Sequence, residues 1–113
     1  SIENHGPIPY CAAKAGLNAY TRSLGRAVAP NGVIVSAVLP GAVLTEEGYW
    51  DIASRDRPEH VEKFIEQRMA IGRLGQPEEI AGIVAFLCSS HASFFVGSIV
   101  PVDGGQGRSF FGT

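Results

Sequence analysis

Apolar side chains return at helical spacing after Tyr10. Leu17, Tyr20, Leu24 and Val28 mark one stripe, while Ala12, Ala13, Ala15, Ala19 and Ala27 keep the neighbouring faces slim. The pattern predicts a helix buried along much of its circumference, entered at Pro9, beginning at Tyr10 and ended by Pro30-Asn31-Gly32. Ser1 to Pro9 reads as a loop, because Gly6, Pro7 and Pro9 break any regular element. Val33 to Leu39 has no polar alternation and is rich in β-branched residues, the pattern of a strand covered on both faces in a parallel sheet; Pro40-Gly41 closes it. Periodicity fades over residues 42–57, which read as irregular. Val61, Phe64, Ile65 and Met69 share one face of a second helix, Pro58 to Met69. A third helix opens at Pro77, whose missing N–H suits a first helical position. Glu78 and Glu79 follow at the positive end of its dipole, and Ile80, Ile83, Val84 and Leu87 form its stripe. Ser89-Ser90-His91 stops that helix. Gly97 to Val102 forms a second strand, turned by Asp103-Gly104-Gly105. The order helix, strand, helix, helix, strand contains one strand-helix-strand crossover, so it implies an α/β layer with a parallel pair.

Composition narrows what such a layer can serve. The 113 residues suffice for one small domain with a modest core, and a formal charge of −2 with interspersed signs supplies no basic stripe for nucleic acid. No apolar run approaches the ~20 residues of a membrane span, and the amino terminus has no signal-peptide pattern. The expected setting is therefore cytoplasmic, with neither membrane nor nucleic acid as partner. Cys11 and Cys88 are far apart and form no C-x-x-C, so they read as small buried side chains. His5, His60 and His91 are isolated, and no metal site is expected.

Chemistry enters at Tyr10 and Lys14. Residues four apart on a helix face the same way. An ammonium beside a phenol favours the phenolate and lowers a tyrosine pKa from its usual ~10, which makes the tyrosine a usable proton donor and acceptor. Further along, a buried strand ending in Pro40-Gly41 places a loop at the carboxyl edge of a parallel sheet, where ligands bind in open α/β folds. Tyr49 and Trp50, beside Glu46, Glu47 and Gly48, are compatible both with a patch packed on the core and with the lining of a substrate pocket.

Four features occur in order: Tyr10-x-x-x-Lys14 opening a helix, Pro40-Gly41-Ala42-Val43-Leu44-Thr45 after a strand, Gly72-Arg73-Leu74-Gly75-Gln76-Pro77-Glu78-Glu79-Ile80-Ala81 entering a helix, and Val102-Asp103-Gly104-Gly105 after the last strand. From about Ser1 to Gly105 the chain resembles the carboxy-terminal half of a short-chain dehydrogenase/reductase. The resemblance implies the carboxy-terminal part of a Rossmann-like doubly wound parallel sheet, with residues 1–113 forming half of one domain and the amino-terminal cofactor-binding half absent. It implies NAD or NADP as cofactor and a small-molecule carbonyl or alcohol as substrate. Tyr10 matches the family's acid/base, and Lys14 the residue that tunes that tyrosine and hydrogen-bonds the nicotinamide ribose. Pro40, Gly41, Val43 and Thr45 match the segment lying against the nicotinamide. Residues 46–69 match the mobile substrate-binding loop and its helices. Gly104 and Gly105 read as structural.

The sequence also departs from the family pattern. It has no G-x-G-x-x-G phosphate loop. Ser1, followed by Ile2, resembles the relay serine but stands nine residues before Tyr10, closer than is usual in the family. Two expectations stand side by side. One is a fragment of an oxidoreductase in which Tyr10 handles the proton. The other is a noncatalytic scaffold or partner-completing half that oligomerises because a strand edge is bare. The helix from Pro77 and the strand ending at Val102 resemble the family's subunit contact, with Ile99, Val100 and Phe94-Phe95 as apolar area, so a homo-oligomer is expected.

Overall fold

A computed structural model describes residues 8–107. Helix α1 spans Ile8–Val28 and runs into a short 3-10 turn, Ala29–Asn31, closed by Gly32 in the left-handed region (φ 82°). Strand β1 is Ala37–Pro40. Helices α2 (Tyr49–Asp56), α3 (Pro58–Arg68) and α4 (Pro77–Leu87) follow, then a 3-10 turn at Ser90–Ala92 and strand β2, Ile99–Val102. The two strands pair in parallel, with Ala37 opposite Ile99 and Pro40 opposite Val102. The α/β class and the parallel crossover thus follow the sequence pattern.

Several boundaries differ from the expectation, each for a physical reason. Helix α1 begins at Ile8, two residues earlier than expected, because Pro9 sits in the first turn, where a missing N–H costs nothing. The first strand is Ala37–Pro40 rather than 33–39, and it includes Pro40. A ladder is only as long as its partner, and β2 begins at Ile99; ahead of the strands the bonds continue only as Ala37 N–H to Ser98 O (2.8 Å) and Gly97 N–H to Val35 O (2.8 Å). With one partner strand, β1 is half-buried instead of covered on both faces, and Val33 and Ile34 are exposed.

The segment expected to be irregular contains α2. Asp51 and Arg55 stand at i, i+4 and pair at 3.4 Å, a helical signal in an element of only eight residues, and Arg55 also reaches, at 3.4 Å, Glu47, which precedes the helix in the left-handed region (φ 59°). Helices α2 and α3 do not merge, because the residue before a proline is disfavoured in the α region; Arg57, ahead of Pro58, sits at φ −140°, ψ 62°.

The core lies beneath the α2–α3 hairpin. Ala42, Ala53, Val61, Met69 and Leu74 are buried, with Leu44, Trp50, Phe64 and Ile65 packed against them. Trp50 lies 4.3 Å from Phe64 between ring centroids. Burying a side chain such as Val61 stabilises by roughly 1.5–3 kcal/mol. Helix α1, expected to be buried along most of its circumference, buries only Thr21 and Gly25, and Leu17 and Tyr20 are exposed. The buried Thr21 hydroxyl donates to Leu17 O (2.9 Å), which satisfies it within the helix. Where α1 crosses the start of β2 the backbones nearly touch: a Cβ on Gly25 would fall 2.7 Å from Gly97 Cα.

Candidate active site

Tyr10 and Lys14 occupy the first half of α1, one turn apart, with Lys14 Nζ 5.6 Å from the centroid of the Tyr10 ring. Both are exposed. The spacing read from the sequence therefore becomes a real juxtaposition of cation and phenol on one helix face. Ser1 lies outside the described residues.

The other three motifs converge at the carboxyl end of the strand pair. Gly41 N–H donates to Val102 O (3.1 Å), and Ala42 N–H to Gln106 Oε1 (2.9 Å). Gly75 N–H donates to Ala42 O and Leu44 N–H to Gly75 O, both at 2.9 Å, so residues 42–44 form a short parallel bridge with Gly75. Ile71 N–H donates to Gly104 O (3.0 Å). Asp103 folds its carboxylate back onto Gly105 N–H (3.1 Å) and Gly107 N–H (3.0 Å). Gly41 has to be glycine, because a Cβ there would stand 2.7 Å from Asp103 Cα. Gly104 and Gly105 both take positive φ, 59° and 82°, and pack against Ile71 and Ala70. They serve structure, as expected.

This knot leaves one stretch of backbone unused. The Val43 N–H and C=O point away from Gly75 and have no hydrogen-bond partner among the described residues. The exposed Thr45 hydroxyl has none either. A donor, an acceptor and a hydroxyl in succession at a strand's carboxyl end suit a planar amide ligand. Beside them a shallow cavity of about 50 Å³ is lined by Gly41, Val43, Met69, Ile71, Arg73 and Asp103 among others, room for water rather than for a nucleotide. No hydrogen bond or ring contact joins Tyr10 or Lys14 to residues 40–45 among the described residues. The chain thus presents two separate groups of candidate site residues.

Arg73 and Glu79 brace the knot. The guanidinium pairs with the carboxylate through two bonds, Nη1 to Oε1 at 2.7 Å and Nη2 to Oε2 at 2.9 Å, and Gln76 N–H donates to Glu79 Oε1 (2.9 Å) at the start of α4. The Arg73 hydrogen bond and then the Gln76 N–H hold the Glu79 carboxyl down to about 2, below its ordinary 4.5. A folded value below the unfolded one means that the contribution is complete above about 4.5 and is lost as pH falls through about 2. In urea unfolding, Glu79→Gln should therefore be less stable than the parent at pH 6 and nearly equal to it at pH 2. A gap that persists unchanged at pH 2 would show that the carboxylate is not the source.

Sequence reading missed Gln106, which holds Ala42 from 64 residues away, and treated His60 as isolated although it meets Tyr49 Oη at 3.4 Å. No local signal announces either. Trp50 is half-buried on the core, while Tyr49 is 57 % exposed, so the aromatic pair divides between packing and surface.

A family model described as Enoyl-(Acyl carrier protein) reductase matches residues 1–106. The 3-oxoacyl-(acyl-carrier-protein) reductase FabG of Pseudomonas aeruginosa is 42% identical over 106 residues, covering 94% of this chain and 40% of the relative. L-sorbose reductase from Gluconobacter frateurii, solved with NADPH and L-sorbose, has a TM-score of 0.82 and 28% identity over 94% of this chain and 43% of its own. A short chain dehydrogenase from Bacillus anthracis has a TM-score of 0.76 and 35% identity, covering 96% of this chain and 41% of that one. The chain spans about 40% of the length of the curated relatives it matches.

Proposed function

From the premise that the chain belongs to the short-chain dehydrogenase/reductase family, its parallel layer being part of a Rossmann-like sheet, we propose that it is the carboxy-terminal half of an NAD- or NADP-dependent oxidoreductase interconverting a carbonyl and an alcohol. The observation that carries this reading is Lys14 Nζ set 5.6 Å from the Tyr10 ring on one exposed helix face. The relatives are reductases and dehydrogenases by name, and the L-sorbose reductase holds NADPH, which supports a nicotinamide cofactor.

When bound, the nicotinamide supplies or accepts the hydride. Tyr10 Oη gives its proton to the carbonyl oxygen during reduction and takes the hydroxyl proton during oxidation. The Lys14 ammonium favours the phenolate left behind and binds the nicotinamide ribose. Ser1, outside the described residues, is the candidate for the family's relay serine. Val43 N–H and C=O and the Thr45 hydroxyl hold the carboxamide, and Pro40 and Gly41 set the turn that presents them. These unpaired groups fit such a ligand, although the small cavity beside them makes only one wall of its site.

The noncatalytic reading has its own support. An open groove lined by Ile34, Val38, Val84 and Leu87 flanks β1, and Phe94 is 97 % exposed, apolar surface that a homo-oligomer or a completing half would cover. Titration with NADPH separates the two readings: a cofactor-binding chain shifts nicotinamide fluorescence saturably, and a scaffold does not. Light scattering on the same sample should give two or more chains per particle. A monodisperse 12.0 kDa monomer would overturn the assembly.

A further inference from the structure

Arg57 stands where α2 stops and α3 starts, and backbone bonds fix it on both sides. Its N–H donates to Ala53 O (2.7 Å), and its C=O accepts from His60 N–H (3.1 Å). Two residues earlier, Arg55 neutralises Glu47 and Asp51. Among the described residues the Arg57 guanidinium has no carboxylate partner, although Asp56 and Glu59 flank it in sequence. Its Nη2 donates to Tyr49 Oη over 3.4 Å, and its Cζ lies 5.8 Å from the Tyr49 ring centroid. His60 Nε2 approaches the same oxygen at 3.4 Å from the first turn of α3. Both contacts are longer than the ~2.9 Å of a settled hydrogen bond. The guanidinium and the imidazole therefore converge on the exposed Tyr49 oxygen, and both contacts are loose enough for a further acceptor to be drawn in among the three groups.

The chemistry of that point is one-sided. A guanidinium fork, a phenol O–H and, in the tautomer with hydrogen on Nε2, an imidazole N–H meet there beside the positive end of the 11-residue α3, and an oxyanion accepts from all three. We propose that Tyr49, Arg57 and His60 form a binding corner for a small oxyanion, a carboxylate or a phosphate. The geometry is complete within this chain and does not depend on the oxidoreductase reading.

Trp50, the only tryptophan, reports on the corner directly: its ring meets Tyr49 edge-on at 4.9 Å and stacks over His60 at 6.3 Å and 7°. Inorganic phosphate and, separately, acetate are titrated into the chain with ionic strength held constant by sodium chloride. The expected result is a saturable change in Trp50 emission with at least one anion and none with chloride. Saturation by phosphate alone assigns a phosphoryl ligand, and saturation by both assigns the wider carboxylate class. Arg57→Ala should weaken binding at least about tenfold, whereas Arg55→Ala, which removes an arginine already paired, should change it by less than about twofold. If Arg57→Ala loses helix by circular dichroism, Arg57→Lys keeps the charge without the fork and should still weaken binding. The absence of saturation with either anion, or an affinity unchanged in the folded Arg57 variants, overturns the proposal.

Discussion

Replacing Tyr10 with Phe in the complete protein should lower turnover by about 10²–10⁴-fold, the range general acid/base groups supply, while cofactor affinity stays within a few fold. The ring and its packing remain, and only the proton carrier goes. Lys14→Ala separates the two tasks assigned to the pair. It should reduce turnover and also weaken cofactor binding, because the ammonium both favours the phenolate and reaches the ribose. Steady-state rates and nicotinamide fluorescence on the same preparations check this. Full activity in Tyr10→Phe would remove Tyr10 from the chemistry. Unchanged cofactor affinity in Lys14→Ala would confine Lys14 to the proton step. In this chain the two side chains are exposed on the first half of α1, away from the buried cluster, so neither substitution should affect the folding of this chain appreciably.

Gly25→Ala and Gly16→Ala, nine residues apart in the same helix, should move stability in opposite directions. Alanine is favoured over glycine in a helix interior by about 1 kcal/mol. Nothing lies within 4 Å of a Cβ placed on Gly16, so that gain should appear undiminished. At Gly25 the added methyl would stand 2.7 Å from Gly97 Cα and N and 3.2 Å from Val35 O, all backbone atoms. Gly97 cannot easily retreat, since its φ is 63° and its N–H bond to Val35 O (2.8 Å) ties it to the segment leading into β1. Overpacking of this kind costs about 1–3 kcal/mol, and a clash with backbone rather than with a flexible side chain belongs toward the upper end, so after the propensity gain Gly25→Ala should be a net loss of up to about 2 kcal/mol. With a urea m-value of roughly 1 kcal/mol/M for a chain of this size, the midpoint should fall, by up to about 2 M. A midpoint raised in both variants would mean that α1 does not rest on β2 as described.

Gly25 also illustrates how far the sequence could be read. A glycine within an otherwise helical pattern is a local oddity whose usual explanation is close packing, yet Gly16 is the same oddity with open space around it. The chain pattern cannot distinguish them. The α2–α3 corner is the opposite case. Pro58 disfavours helical backbone at Arg57, which divides the segment into two helices; the i, i+4 pair of Asp51 and Arg55 was present as well. The helix there was legible, though its eight residues leave little length for a period to show.

By itself the sequence determined what depends on near neighbours: helices α1, α3 and α4, the turns at Gly32 and at Asp103-Gly104-Gly105, the α/β order, and the pairing of Tyr10 with Lys14 across one turn. Those follow from periodicity, proline and glycine stereochemistry, and a helical pitch that is the same in every protein. Only the tertiary structure decided that β1 is four residues long, that α1 is mostly exposed, that Gln106 holds Ala42, and that Tyr49, Arg57 and His60 meet at one oxygen. Strand length, burial and side-chain convergence are set by the surface lying opposite, and a segment's own residues do not record what that surface will be.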